Sequence, residues 1–144
     1  MELNFDGPTT ILVAIDGSET SLRAAAYAAG MARRQGARIV CLYVRSAGSL
    51  SRLAPAVAGP LQEAQDAVAN ELRETLRANA PRLGITADFV ERSGSPGNEI
   101  TRLADELRVD AVVVGASMQA GHRFIGSIAA HLVRTARWPV IVVP

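Results

Sequence analysis

Five short runs of aliphatic and β-branched residues, separated by segments of helical period, constrain this chain more than any other feature. They are Thr10 to Ile15, Ile39 to Val44, Ile85 to Val90, Ala111 to Val114 and Val140 to Val143. Most are apolar at nearly every position, the pattern of strands covered on both faces. The third is weaker and carries Asp88, which places it near a sheet edge. The intervening segments read as helices. Residues 19–35 put Leu22, Ala25, Ala26 and Ala29 on one stripe, and Gly36 stops the helix. A second helix, 61–80, turns Ala64, Val68, Leu72, Thr75 and Leu76 inward. Ser95 and Pro96 open a third as N-cap and first helical position, with Ile100, Leu103, Ala104 and Leu107 buried. The last, near 126–137, buries Ile128, Leu132, Val133 and Ala136. Residues 46–60, with Gly48, Pro55, Gly59 and Pro60, read as a flexible loop, and residues 1–9 as an N-terminal extension.

Strand–helix–strand alternation with apolar strands means parallel pairing and right-handed crossovers. The expected fold is therefore α/β, an open doubly wound parallel sheet in a single domain spanning 1–144. In such sheets ligands bind beyond the carboxyl ends of the strands, where the winding reverses. The first strand ends in Asp16-Gly17-Ser18 and the fourth at Gly115. If the two strands are neighbours, these loops face each other across one crevice.

At 144 residues the chain hides roughly 68–70% of its unfolded surface. With only 4% aromatic residues, the core must be Val, Ile, Leu and Ala. A formal charge of +1 gives no electrostatic reason to expect nucleic acid or an anionic membrane as partner. All 15 basic residues are Arg, so no ammonium group can serve a phosphate site. Cys41, the one cysteine, allows no intrachain disulfide and reads as an inert buried thiol. Met1 to Thr10 is polar and acidic, unlike a secretion signal, and no apolar run approaches the roughly 20 residues that span a bilayer. These features lead us to expect a cytoplasmic protein.

Several segments together resemble the universal stress protein family over nearly the whole length. They are Ile11 to Ser18 (ILVAIDGS), Leu42-Tyr43-Val44, Gly94-Ser95-Pro96 with Glu99-Ile100, and Asp110 to Gly115 (DAVVVG). Gly126-Ser127 and Pro139 to Pro144 (PVIVVP) complete the set. The resemblance implies five parallel strands in the order 3-2-1-4-5 with helices on both faces. It also implies a homodimer, with Val140, Ile141, Val142 and Val143 at the pairing edge. Some members bind ATP and others do not.

The resemblance further implies an adenine-nucleotide site, for ATP with Mg. Its nucleoside end would be Ala14, Asp16 and Val44. ATP-binding members carry a glycine, two residues, a second glycine, nine residues, then Gly-Ser or Gly-Thr. Gly115 and Gly126-Ser127 match the two ends. Met118 replaces the second glycine, and the loop is two residues short, though Gly121 restores some backbone freedom. Glycines matter because backbone N–H groups at a helix N-terminus hold a phosphate only where the chain can come close. Gly121 to Ser127 also has P-loop spacing without its lysine, which excludes a conventional P-loop ATPase. Arg123 is the candidate cation for that place, or else a solvated loop arginine. Asp16 reads equally well as part of a helix-start turn with Glu19, and Gly126-Ser127 as an ordinary cap.

No dedicated enzyme emerges. Gly115 to Gln119 misses the nucleophile-elbow pattern at its last glycine. Ser127 and His131 share a helical face, but no nearby carboxylate is placed to orient the histidine. His122 and His131 have no carboxylate cluster to complete a metal site, and Asp16 and Asp110 lie at opposite strand ends. Two readings follow: an ATP-binding regulatory module of the stress response, or a nucleotide-free homodimeric interaction protein that has lost its phosphate loop.

Overall fold

A computed structural model describes residues 9–45, 55–116 and 126–144. The elements run β1 (Thr10–Ala14), α1 (Glu19–Gln35), β2 (Arg38–Arg45), a 3-10 turn (Pro55–Val57) and α2 (Ala58–Leu83). Then come β3 (Ala87–Ser93), α3 (Pro96–Leu107), β4 (Ala111–Gly115), α4 (Ser127–Thr135) and β5 (Val140–Val143). The strands form one parallel sheet in the order β3-β2-β1-β4-β5, as expected.

Alternate residues of each strand face opposite layers, which splits the core in two. Ile11, Val13, Ile39, Cys41, Tyr43 and Val113 pack with α1 and α2 on one face. Leu12, Val40, Leu42, Val112 and Val114 pack with α3 and α4 on the other. Ile11, Leu12 and Val13 expose nothing to solvent, which explains why β1 has no polar alternation. Burial pushes the Cys41 thiol up to about 12, with a smaller push from Asp88, so the thiol is unreactive at neutral pH.

Three expectations differ from the structure: the loop, the third strand and the helix faces. The loop expected over 46–60 is helical at its far end, because α2 starts at Ala58 and tolerates Gly59 and Pro60 in its first turn. The third strand lies at Ala87–Ser93, further along than expected, but at the sheet edge as foreseen. Helix faces differ from the expected ones where alanine blurs the period. α1 buries Thr20, Ser21, Ala24, Ala28 and Ala32, while Leu22 and Ala26 are exposed. Ala64, Thr75, Leu107, Ile128 and Val133 likewise face solvent, whereas Ala69 of α2 and Ala129 of α4 are buried in their layers.

The two sheet edges differ in chemistry. The β3 edge carries Asp88, Glu91 and Arg92, each in an ion pair. Arg45 at the end of β2 bridges Asp66 of α2 and Glu91 of β3, and Arg73 joins Glu91 while lying 4.9 Å above the Phe89 ring. This partly buried cluster rivets α2 to the sheet more firmly than an exposed pair such as Glu19–Arg23, worth about 0.5 kcal/mol. The β5 edge has no charge: Val140, Ile141, Val142 and Val143 are all half-buried.

Candidate functional site

All four described helices run back against the parallel strands, so their N-termini and the strand ends share one edge of the molecule. β1 lies between β2 and β4, and the winding direction reverses between β1 and β4. Ala14 pairs with Leu42, so the turn at Asp16 leaves the sheet beside the last residues of β2, Val44 among them. Val13 pairs with Val113, which brings Gly115 level with Ile15. The structure therefore sets Ala14, Asp16, Val44 and Gly115 along the carboxyl edge of β2, β1 and β4, which includes the switch point. Gly126 and Ser127 start α4 at the same edge. Met118, Gly121, His122 and Arg123 lie outside the described residues.

The loop after β1 is knitted from its own side chains. Gly17 takes φ +85°, a conformation suited to glycine, with Val68 of α2 packed beside it. Ser18 is the N-cap of α1, and its Oγ accepts from Ser21 N–H at 3.3 Å. Asp16 Oδ1 accepts from Ser18 N–H at 2.8 Å, while Asp16 N–H donates to Ser21 Oγ at 3.2 Å. Ser21 Oγ donates onward to Ser18 O at 2.9 Å. The helix-start role foreseen for Asp16 is thus real in part. It makes the turn before the cap, and Glu19 pairs with Arg23 instead of closing a capping box.

Burial pushes the Asp16 carboxyl up, but hydrogen bonds from Ser18 and Ser21 outweigh it and hold it below the ordinary Asp value. Asp16 is exposed, and Oδ2 makes no hydrogen bond among the described residues. The loop therefore presents a charged acceptor beyond the end of β1.

At the other side of the switch point, Gly126 is the N-cap of α4 and supplies no side chain. Its carbonyl takes Ala130 N–H at 2.9 Å, and among the described residues no side chain caps the first turn. Ser127 is exposed at the first helical position. First-turn amides, a hydroxyl and the positive helix end suit an anion.

The turn after β3 is the third element at this edge. Gly94 N–H donates to Arg45 O at 2.9 Å, and φ +141° at Gly94 turns the chain into α3. Glu99 is buried beneath it, 3.2 Å from where a Gly94 Cβ would lie, and pairs with Arg102. Ser95 caps α3 by position only, without the expected side-chain hydrogen bond. His131 of α4 is held against α3, its Cδ2 2.9 Å from where a Gly97 Cβ would lie. Sequence reasoning missed the burial of Thr20, Ser21 and Glu99. The one signal for the first two was the polar run Ser18 to Ser21 directly after a strand.

A doubly wound α/β domain with polar groups at the carboxyl edge of its switch-point strands is the class defined by these features. The universal stress protein family profile matches residues 8–144, and the chain belongs to that family. It is 29% identical over 144 residues to the universal stress protein YxiE of Bacillus subtilis, covering 92% of this chain and 97% of that one. Among solved structures, the universal stress protein UspA of Lactobacillus plantarum superposes with a TM-score of 0.79 at 27% identity. That match covers 94% of this chain and 97% of the other. A universal stress protein in complex with cAMP matches at 0.73 and 26%, covering 96% and 98%.

Proposed function

We propose that this chain is a regulatory module of the stress response that binds an adenine nucleotide, ATP with Mg, at the carboxyl edge of β1, β2 and β4. The observation that carries the reading is the pairing of two complementary groups across the switch point. Asp16 offers an acceptor suited to nucleoside hydroxyls, and the start of α4, with no side-chain cap among the described residues, offers donors suited to phosphate. Ala14 and Val44 form the apolar floor between them. Gly121 and Arg123 complete the phosphate side in this reading, and Ser127 Oγ is the hydroxyl available to phosphate or its magnesium ion. A related protein of this fold has been solved with cAMP, an adenine nucleotide, which supports the same ligand class here. The module binds rather than catalyses, and its setting is the cytoplasm. Among the described residues no helix is long and apolar enough to cross a membrane.

Ligand that prefers the folded state raises stability by roughly 2.7 kcal/mol at a hundredfold excess over its dissociation constant. MgATP should therefore raise the melting temperature. An unchanged melting curve at millimolar MgATP would favour the nucleotide-free reading, which Met118 and the shortened loop support.

Two copies pair through β5 in this proposal. An uncharged edge strand is an open template for pairing, and antiparallel docking of Val140–Val143 on a second copy closes it. Ile141→Lys puts a charge at the centre of that pairing and should yield monomers in light scattering. A monomer mass for the unmodified protein at micromolar concentration would refute the dimer.

A further inference from the structure

Gly115 has a neighbour that its place in the glycine motif does not suggest. It ends β4, and a Cβ built on it would lie 2.6 Å from Thr20 C, 2.7 Å from Thr20 O and 2.7 Å from Ser21 N. Real Cβ atoms do not approach backbone that closely, and backbone cannot swing aside as a side chain can. The absent side chain is therefore filled by the first turn of α1. That turn is the one holding the Asp16 loop, through Ser18 and Ser21. Thr20 and Ser21 are 3% and 4% exposed, so the turn has no free space into which to retreat.

We infer that Gly115 is a positioning residue for the nucleoside end of the site, setting the Asp16 carboxylate through the first turn of α1 rather than admitting phosphate. The inference rests on the nucleotide reading above and assigns this motif glycine a different task within it. Any side chain at 115 lifts the Thr20–Ser21 peptide, stretches the Asp16–Ser21 and Asp16–Ser18 hydrogen bonds, and turns Oδ2 from its direction. The phosphate end, 126–127, belongs to a different helix on the opposite face of the sheet and is not touched by that movement.

The two roles separate by comparing adenosine, which has no phosphate, with MgATP. Both are titrated into the unmodified protein, Gly115→Ala and Ser21→Ala, each checked for folding by circular dichroism. Gly115→Ala should weaken adenosine and MgATP by the same factor, about tenfold, the size of one lost hydrogen bond to a charged group. Ser21→Ala keeps Gly115 but removes the hydroxyl that takes Asp16 N–H, and should show the same parallel loss on a smaller scale. The Asp16 carboxyl, followed by NMR, should titrate closer to the ordinary Asp range in both variants. A loss confined to MgATP, or an Asp16 titration that does not move, overturns the inference. Should Gly115→Ala fail to fold, unchanged adenosine affinity in Ser21→Ala overturns it instead. Unmodified protein that binds neither ligand removes the nucleotide reading and this inference with it. Normal binding with unequal losses removes the inference alone.

Discussion

Asp16 and Asp110 stand at opposite ends of the neighbouring strands β1 and β4, and the fold uses them differently. At the amino edge, Asp110 Oδ2 accepts from Thr9 N–H at 2.9 Å, Thr9 Oγ1 at 2.9 Å and Thr10 N–H at 3.0 Å. One carboxylate oxygen thus staples the entry of β1 onto β4. At the carboxyl edge, Asp16 is held by its own turn, with Oδ1 on Ser18 N–H and the hydroxyls of Ser18 and Ser21 close by. Both carboxyls lie below the ordinary Asp value: Asp110 through Thr10 and Thr9, Asp16 through Ser18 and Ser21 against its burial. A lowered pKa alone therefore does not separate a staple from a site. What separates them is that Asp110 ties β1 to β4, whereas Asp16 is bonded within its own turn among the described residues.

The largest effect expected from this contrast is on stability. Asp110→Ala removes three hydrogen bonds to a charged acceptor and should cost about 2 kcal/mol of unfolding free energy, with nucleotide affinity unchanged. Asp16→Ala should do the reverse: a stability loss below about 1 kcal/mol and clearly weaker nucleotide binding. Urea unfolding and calorimetric titration of the two variants give all four values. Equal losses of stability would erase the distinction between the two ends. A smaller effect sharpens it through pH. A carboxyl depressed in the folded state contributes stability above its unfolded pKa, and that contribution is lost as pH falls through the folded value. The gap between Asp110→Ala and the unmodified protein should therefore shrink from neutral pH to about pH 2. A gap that persists in acid would show that the staple does not depend on charge.

Much of this was legible from the chain, and the reason is physical. Strands covered on both faces must be apolar throughout, so β1, β2, β4 and β5 announced themselves and their ends located the edge where Asp16, Gly115 and Gly126 gather. Helix faces were less legible. Alanine at 24, 25, 26, 28, 29 and 32 gives α1 no contrast between its sides. Leu22 is 46% exposed because the turn beside it buries Thr20 and Ser21, whose hydroxyls serve the Asp16 loop. The contact of Gly115 with Thr20 and Ser21 was not legible, because those residues lie far away in sequence. No local pattern reports such a contact. The charged cluster around Arg45 and Glu91 was hidden for the same reason, although Asp88 alone marked β3 as an edge.

The central claim is that the carboxyl edge, not the amino edge, receives an adenine nucleotide. Titrating MgATP into isotopically labelled protein and following the backbone amides tests it most directly. The account predicts saturable shifts at Asp16, Gly17, Ser18, Val44 and Ser127, with Thr9, Thr10 and Asp110 unmoved. Shifts centred on Thr9 and Asp110, or no shifts at millimolar nucleotide, would contradict it.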